Sequence, residues 1–149
     1  HTNDAPSTIT RLQNMGTPDY LISAACQLVL AQRLARRTCK ECRVPDEDVT
    51  PKVLQDLGFT AEQASRAKAF KGKGCPKCKD TGYKGRQGIY EILVVSKPLK
   101  EAILRQATTP ELREIAIKEG FQTMQDMGRR LISAGDLNFR EYERVLTSE

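Results

Sequence analysis

The apolar positions fall into short helical runs separated by glycine, proline or a capping residue, and two stretches of strand character interrupt them. Residues 4–15 place Ile9, Leu12 and Met15 along one helical side, and Gly16 suits the position just past its end. Thr17-Pro18 opens a second helix over 19–28, with Leu21, Ile22, Ala25 and Leu28 apolar and Cys26 beside them. Residues 29–34 read as a strand, although the nearby alanines leave helix continuation open. Thr50-Pro51 begins a helix carrying Val53, Leu54 and Leu57, which Gly58 stops; Thr60 with Gln63 has the form of a capping box and starts another helix reaching about Phe70. These two form a helical hairpin that gathers Leu54, Leu57, Phe59 and Phe70 into a small core. Residues 88–95 carry the strongest strand signal, so nearly continuous in apolar character that cover on both faces is expected, with 29–34 as the candidate pairing partner.

From Pro98 onward the pattern is helical. Leu99, Ile103 and Leu104 form one face, Thr109-Pro110 restarts a helix with Leu112, Ile115 and Ala116 inward, and Gly120 closes it. Residues 123–133 repeat the pattern with Met127, Leu131 and Ile132. A last helix, capped by Asn138 with Glu141 three residues on, presents Phe139, Tyr142, Val145 and Leu146. Helices this short are marginal alone, so a compact bundle is expected.

A chain of 149 residues with 39% hydrophobic content supports one domain or two small subdomains, and no apolar run is long enough to span a membrane. The absent initial Met leads us to expect a fragment or processed chain. The net charge of +5 is uneven: residues 32–43 carry +4 and residues 68–86 carry +6, so the remainder is acidic.

Those two basic runs surround the chemistry. Cys39-Lys-Glu-Cys42 and Cys75-Pro-Lys-Cys78 are paired doublets with thirty-two residues between them, able to supply four soft ligands to a tetrahedral zinc. Two disulfides, four unrelated thiols or iron–sulfur ligation are the alternatives. Nearby cations favour thiolate formation and offset the charge of a four-thiolate zinc site. Cys26 lacks a doublet partner and reads as a small buried hydrophobe. Gly72, Gly74, Gly82, Gly85 and Gly88 suit tight turns rather than a phosphate cradle, because no Gly-x-x-x-x-Gly-Lys-Ser/Thr occurs. His1 is the sole histidine, which excludes a Ser/His/Asp set, and a four-cysteine site has no open coordination position. Taken alone, the residues describe a scaffold or a basic zinc module; nucleic-acid binding is the alternative, weakened by the lack of interleaved aromatics.

Several blocks in order resemble the C-terminal part of a type IV pilus assembly or type II secretion ATPase, the additional-strand, RecA-like hexameric family. These are His1-Thr2-Asn3-Asp4-Ala5, Arg11-Leu12-x-x-Met15-Gly16, Leu30-Ala31-Gln32-Arg33-Leu34-x-Arg36-Arg37-x-Cys39, the doublets, Gly82-Tyr83-x-Gly85-Arg86-x-Gly88-Ile89-Tyr90-Glu91 and Glu119-Gly120-Phe121. The doublets favour the pilus-extension or type II secretion branch over retraction motors. The resemblance implies an α/β fragment of a RecA-like motor with a tetracysteine zinc subdomain and a mainly helical C-terminal bundle. Residues 1–38 would end the ATPase core, 39–80 form the zinc insert, 81–97 the returning strand and 98–149 the helical subdomain. His1 would be the histidine-box residue near the γ-phosphate, an accessory catalytic group. ATP and Mg²⁺ would bind only the complete protein, whose Walker motifs lie outside this chain; Zn²⁺ would be structural. Implied partners are further copies in a hexamer and an inner-membrane platform or accessory protein, met by Arg36, Arg37, Lys77, Lys79 and Arg86. The implied location is cytoplasmic, peripheral at the inner membrane.

Overall fold

The computed structural model describes residues 2–147, so the expectation for His1 lies outside the described residues. Asp4 starts the first helix: its carboxylate accepts the Ser7 backbone N–H at 2.8 Å, and α1 runs Ala5–Asn14. Gly16 then turns the chain with φ +90°, a conformation that favours glycine. Helix α2 (Asp19–Ala25) is shorter than its pattern suggested, because the backbone becomes extended at Cys26 and Leu28 already belongs to β1 (Leu28–Thr38). Met15 is 72% exposed and Leu21 47%, so Ile9 and Ile22 form the buried part of these two helices. Cys26 is half-buried rather than buried, its Sγ 3.8 Å from the Leu28 carbonyl oxygen.

Beyond the first cysteine doublet the chain makes a three-residue strand, β2 (Arg43–Pro45), then α3 (Pro51–Asp56) and α4 (Ala61–Arg66). Thr50 caps α3, and Thr60 with Gln63 forms the expected capping box of α4. The second helix stops at Arg66 instead of continuing to Phe70. Phe70 opens β3 (Phe70–Gly72), which pairs antiparallel with β2 in the register Arg43↔Gly72, Val44↔Lys71 and Pro45↔Phe70. A turn of 3-10 helix, Pro76–Cys78, precedes β4 (Tyr83–Val94).

Strands β1 and β4 pair. The Cys39 N–H donates to the Gly82 carbonyl at one end and the Val95 N–H to the Gln27 carbonyl at the other, both at 2.9 Å, which makes the pair antiparallel. Alternation then decides burial. Val29, Ala31 and Ala35 of β1 and Ile89, Glu91 and Leu93 of β4 are buried, whereas Leu28, Leu30, Leu34, Tyr90, Ile92 and Val94 are exposed by 41% or more. Cover on both faces is therefore not what this chain provides: an apolar run does not say how many of its faces are covered.

Four helices complete the chain: α5 (Lys97–Leu104), α6 (Thr109–Lys118), α7 (Met124–Ala134) and α8 (Phe139–Leu146). The chain divides into two units, one made of residues up to Gln32 with Tyr90–Met124, the other of Arg33–Ile89 with the residues from Gln125 onward. The helices after Val95 are accordingly shared, α5 and α6 falling in the first unit and nearly all of α7 and α8 in the second.

In the first unit, α1 packs on α2 and α6, and α5 on α2 and α6, around Ile9, Ile22, Leu99, Ile103 and Leu112. Its buried carboxylate, Glu91, accepts the Ala5 N–H at 2.5 Å and the Met124 N–H at 2.9 Å, so one side chain satisfies the first amides of α1 and α7. Arg113 of α6 pairs with Asp4, tying the same helix start from another side.

In the second unit the fully buried carboxylate is Glu141. Arg144 meets it with Nε at 2.8 Å and Nη2 at 2.7 Å, while Arg36 donates from its backbone N–H at 2.7 Å and from Nε and Nη2 at 3.1 and 2.8 Å. The Arg36 guanidinium also lies 4.0 Å from the Tyr83 ring centre. The outer edge of β1 is satisfied here, by Glu141 at Arg36 and by the Asp136 carbonyl at Thr38. Gly128 sits where a Cβ would come within 2.5 Å of Leu146 Cδ1 and 2.7 Å of Tyr142 Cε2, so α7 and α8 touch through it.

Two stability outcomes follow from this unit. The hydrogen bonds from Arg144, opposed by burial and reinforced by Arg36, lower the Glu141 pKa from 4.5 to about 2. A depressed carboxylate stabilises the fold above its ordinary pKa, and that contribution disappears as pH falls from 4.5 through about 2. Glu141→Gln should cost about 2 kcal/mol at neutral pH in urea unfolding and flatten the acid limb of stability against pH. Gly128→Val should cost about 1–3 kcal/mol by overpacking, read from the same urea midpoint.

Candidate metal centre

The two doublets are brought together by the ribbon between them. Cys39 directly follows β1 and Cys42 precedes β2, while Cys75 follows β3 and Cys78 ends the 3-10 turn before β4. Pairing Arg43 with Gly72 therefore sets the doublets at one end of the β2–β3 ribbon. The second doublet is folded tightly: the Asp80 N–H donates to the Cys75 carbonyl at 2.9 Å, the Thr81 hydroxyl to the Cys78 carbonyl at 2.7 Å, and Lys79 and Asp80 take left-handed φ values of 53° and 62°. Gly72 and Gly82 cross in backbone contact. A Cβ on Gly72 would lie 2.2 Å from the Gly82 carbonyl oxygen, a distance no side chain can occupy.

The result is a cluster of four sulfurs all within 4.8 Å of one another. Cys39 Sγ lies 3.8 Å from Cys75 Sγ, Cys42 Sγ 3.8 Å from Cys78 Sγ, and Cys75 Sγ 3.6 Å from Cys78 Sγ. Four sulfurs each about 2.3 Å from one zinc sit about 3.8 Å apart at tetrahedral angles, so the spacing suits a single zinc-sized ion. The same distances exceed the roughly 2.05 Å of a disulfide, and all five cysteines are free. Cys39, Cys42 and Cys78 are buried and Cys75 is partly exposed. Among the described residues this is the group that could hold a metal.

Backbone amides point at the sulfurs, among them that of Cys78 at the Cys75 side chain. Cys42 Sγ accepts the Gly74 N–H, and Cys78 Sγ accepts those of Cys75 and Gly82, all at 3.3 Å. Burial raises the pKa of both thiols, but the Gly82 and Cys75 amides and the adjacent thiols outweigh it at Cys78 and lower its pKa to about 6. At Cys42 burial and the neighbouring thiols prevail over the Gly74 amide and push the pKa up to about 12. Cys78 and Cys42 are thereby pushed in opposite directions. A dication at their centre removes that opposition, which is the electrostatic reason such a cluster suits a metal.

The cations expected beside the cysteines are placed differently from one another. Arg36 is engaged by Glu141 and Tyr83, and Arg37 donates from Nη2 to Gln87 Oε1 at 2.7 Å. Lys77, Lys79 and Arg86 are exposed and make no ion pair among the described residues. Reading the sequence missed the amides of Gly74 and Gly82 as sulfur partners and missed both buried glutamates. For Glu91 a signal existed: it is an acid at the inward position of an alternating strand, between Ile89 and Leu93. For Glu141 the local signal is Arg144 three residues on, but nothing local announces Arg36, which lies 105 residues away.

With this geometry in place, comparison with known proteins is informative. Residues 1–144 match the family model described as Type II/IV secretion system protein. The type IV pilus assembly ATPase PilB of Myxococcus xanthus is 39% identical over 141 residues, which is 95% of this chain and 25% of that protein. The PilB of Thermus thermophilus is 44% identical over 131 residues, 86% of this chain and 14% of the relative. The type II secretion system ATPase E of Vibrio cholerae is 35% identical over 143 residues, covering 87% and 28% respectively. The chain thus spans about a quarter or less of the length of these relatives, and no helix among the described residues is long and apolar enough to cross a membrane. A family match running through nearly the whole chain, cysteine cluster included, establishes that this protein belongs to the type II/IV secretion system protein family.

Proposed function

We propose that the chain is the C-terminal region of a hexameric, RecA-like ATPase that powers type IV pilus assembly or type II secretion. The observation that carries this reading is the match of nearly the whole chain to ATPases named for those two processes. Residues 1–38 end the ATPase core, 39–80 form a zinc insert, 81–97 return the chain to the core, and 98–149 supply the helices that complete the two units. ATP and Mg²⁺ bind to parts of the motor outside these residues, with His1 as an accessory group at the γ-phosphate.

Cys39, Cys42, Cys75 and Cys78 are the zinc ligands of this reading. When bound, a zinc with four cysteine ligands supplies a cross-link and no catalytic position. The protein's own contribution is to hold the four sulfurs at tetrahedral spacing and to direct backbone amides at them. Lys77, Lys79 and Arg86, which are exposed, together with Arg36 and Arg37, are the cations that this reading assigns to contacts with an acidic face of an inner-membrane platform or accessory protein. The location that follows is the cytoplasmic side of the inner membrane.

Three measurements test the proposal. Elemental analysis of freshly purified, reduced protein should return about one zinc per four-cysteine site, and a value near zero would sink the metal assignment. Cys39→Ser should expose residues 39–80 to protease while α5 and α6 stay protected; unchanged protection of the insert contradicts a metal-held fold. The reading frame that encodes these residues should carry Gly-x-x-x-x-Gly-Lys-Ser/Thr upstream, and its full product should turn over ATP. A frame without that stretch, or a product without turnover, rules out the motor.

A further inference from the structure

The turn between α7 and α8, residues 134–138, is held at three points, and each residue that holds it stands beside the cysteine cluster. Thr38, one residue before Cys39, donates its backbone N–H to the Asp136 carbonyl at 3.0 Å. Arg43, one residue after Cys42, donates from Nη1 to the Ala134 carbonyl at 3.2 Å. Tyr83 follows Gly82, whose N–H donates to Cys78 Sγ and whose carbonyl accepts the Cys39 N–H, and the Tyr83 hydroxyl accepts Asn138 Nδ2 at 2.9 Å. The fit around the turn is close. A Cβ on Gly135 would come within 2.6 Å of Arg43 Nη1 and 3.2 Å of Phe70 Cδ2, and Leu137 is fully buried. Asn138 also caps α8, its side-chain oxygen accepting the Glu141 N–H at 2.8 Å, so one side chain both starts the helix and holds the strand that leaves the cluster.

We propose that the α7–α8 turn is the outer frame of the metal centre, with Thr38, Arg43 and Tyr83 as its positioning residues, so that metal occupancy and the docking of α8 are coupled. This rests on the zinc reading given above. An ion fixes four sulfurs at tetrahedral positions, and a residue next in sequence inherits that fixation because only two soft dihedrals per residue separate them. With the sulfurs free to separate, Thr38, Arg43 and Tyr83 offer their bonding groups to the turn from a wider range of positions, and the bonds form less often. Linkage requires the reverse as well: whatever the ion adds to the docking of α8, the docking adds to the affinity for the ion. Helix α8, which buries Glu141, Tyr142 and Val145, is then a metal-dependent element, whereas α5 and α6, in the other unit, are not.

The test uses the 149-residue chain, purified and reduced, its zinc content measured first. Amide hydrogen exchange read by mass spectrometry compares the zinc-loaded chain with the same chain stripped by a chelator. Residues 134–146 should exchange about tenfold faster after stripping, with α5 and α6 unchanged. In the reverse direction, zinc release to excess chelator is timed with a metallochromic dye. Tyr83→Phe combined with Arg43→Met removes two ties and no ligand, and should release zinc about tenfold faster than the parent chain. Arg43→Lys alone, which keeps a donor for the Ala134 carbonyl, should release zinc at the parent rate. Lys40→Met, which removes an exposed charge beside Cys39 and no tie, should do the same and so separates loss of a tie from loss of charge. A chain without zinc would overturn the metal reading and this proposal together. Exchange in residues 134–146 that is unchanged on stripping, or that accelerates equally in α5 and α6, would overturn the coupling and leave the zinc site standing. Unchanged release from the double variant, or equal acceleration by Arg43→Lys or Lys40→Met, would do so too.

Discussion

Four sulfurs held within 4.8 Å are the constraint on which the second unit depends. Thiolates so close repel one another, and burial of three of them removes the water that would screen the repulsion. The chain accepts this arrangement because the surrounding backbone is committed to it. The Gly72–Gly82 crossing, the left-handed Lys79 and Asp80 and the inward amides of Gly74 and Gly82 shape a four-sulfur cluster that could hold a metal ion. Strands of three residues and helices of six have little apolar surface of their own with which to hold this arrangement.

Away from the sulfurs, each unit is organised by one buried carboxylate used in a different way. Glu91 is surrounded by backbone amides and joins a strand to helix starts, drawing on partial charges that never titrate. Glu141 is surrounded by guanidinium groups and joins a helix to a strand edge through full charges. Arg36 and Arg144 remain more than half exposed, so part of their charge stays hydrated and the cost of burial falls mainly on the glutamate.

Much of the helical content was legible because it is locally specified. Thr50, Thr60 and Asn138 cap helices where the chain says they should, since a side chain and an amide two or three residues away need nothing distant. The caps at Ser96 and Thr108 stand just before the positions their prolines suggested. The cysteine cluster was legible for a similar reason, the doublet spacing being a property of one turn. What stayed hidden depends on residues far apart. The β2–β3 ribbon is too short and too irregular to leave an alternating pattern, and it ends a helix that propensity alone would have continued toward Phe70. The exposure of Tyr90, Ile92 and Val94 stayed hidden because an apolar strand specifies that burial is favourable, not which surface provides it. Arg36 could be read as a solvated cation because the glutamate that engages it lies at the other end of the chain.

The pairing of Pro45 with Phe70 has a consequence for how this part of the molecule can change. It places the two ends of the excursion carrying α3 and α4 at facing positions, so the chain leaves and re-enters the ribbon at nearly the same point. The attachment of that excursion is thereby separated from its content: a segment of different length or helical make-up can be grafted between Pro45 and Phe70 without moving the cysteines. The tie from Arg129 to the Leu57 carbonyl, 3.1 Å long, is the one additional anchor seen among the described hydrogen bonds for the present cassette. In engineering terms the ribbon is a socket, and the helical hairpin is what happens to be plugged into it.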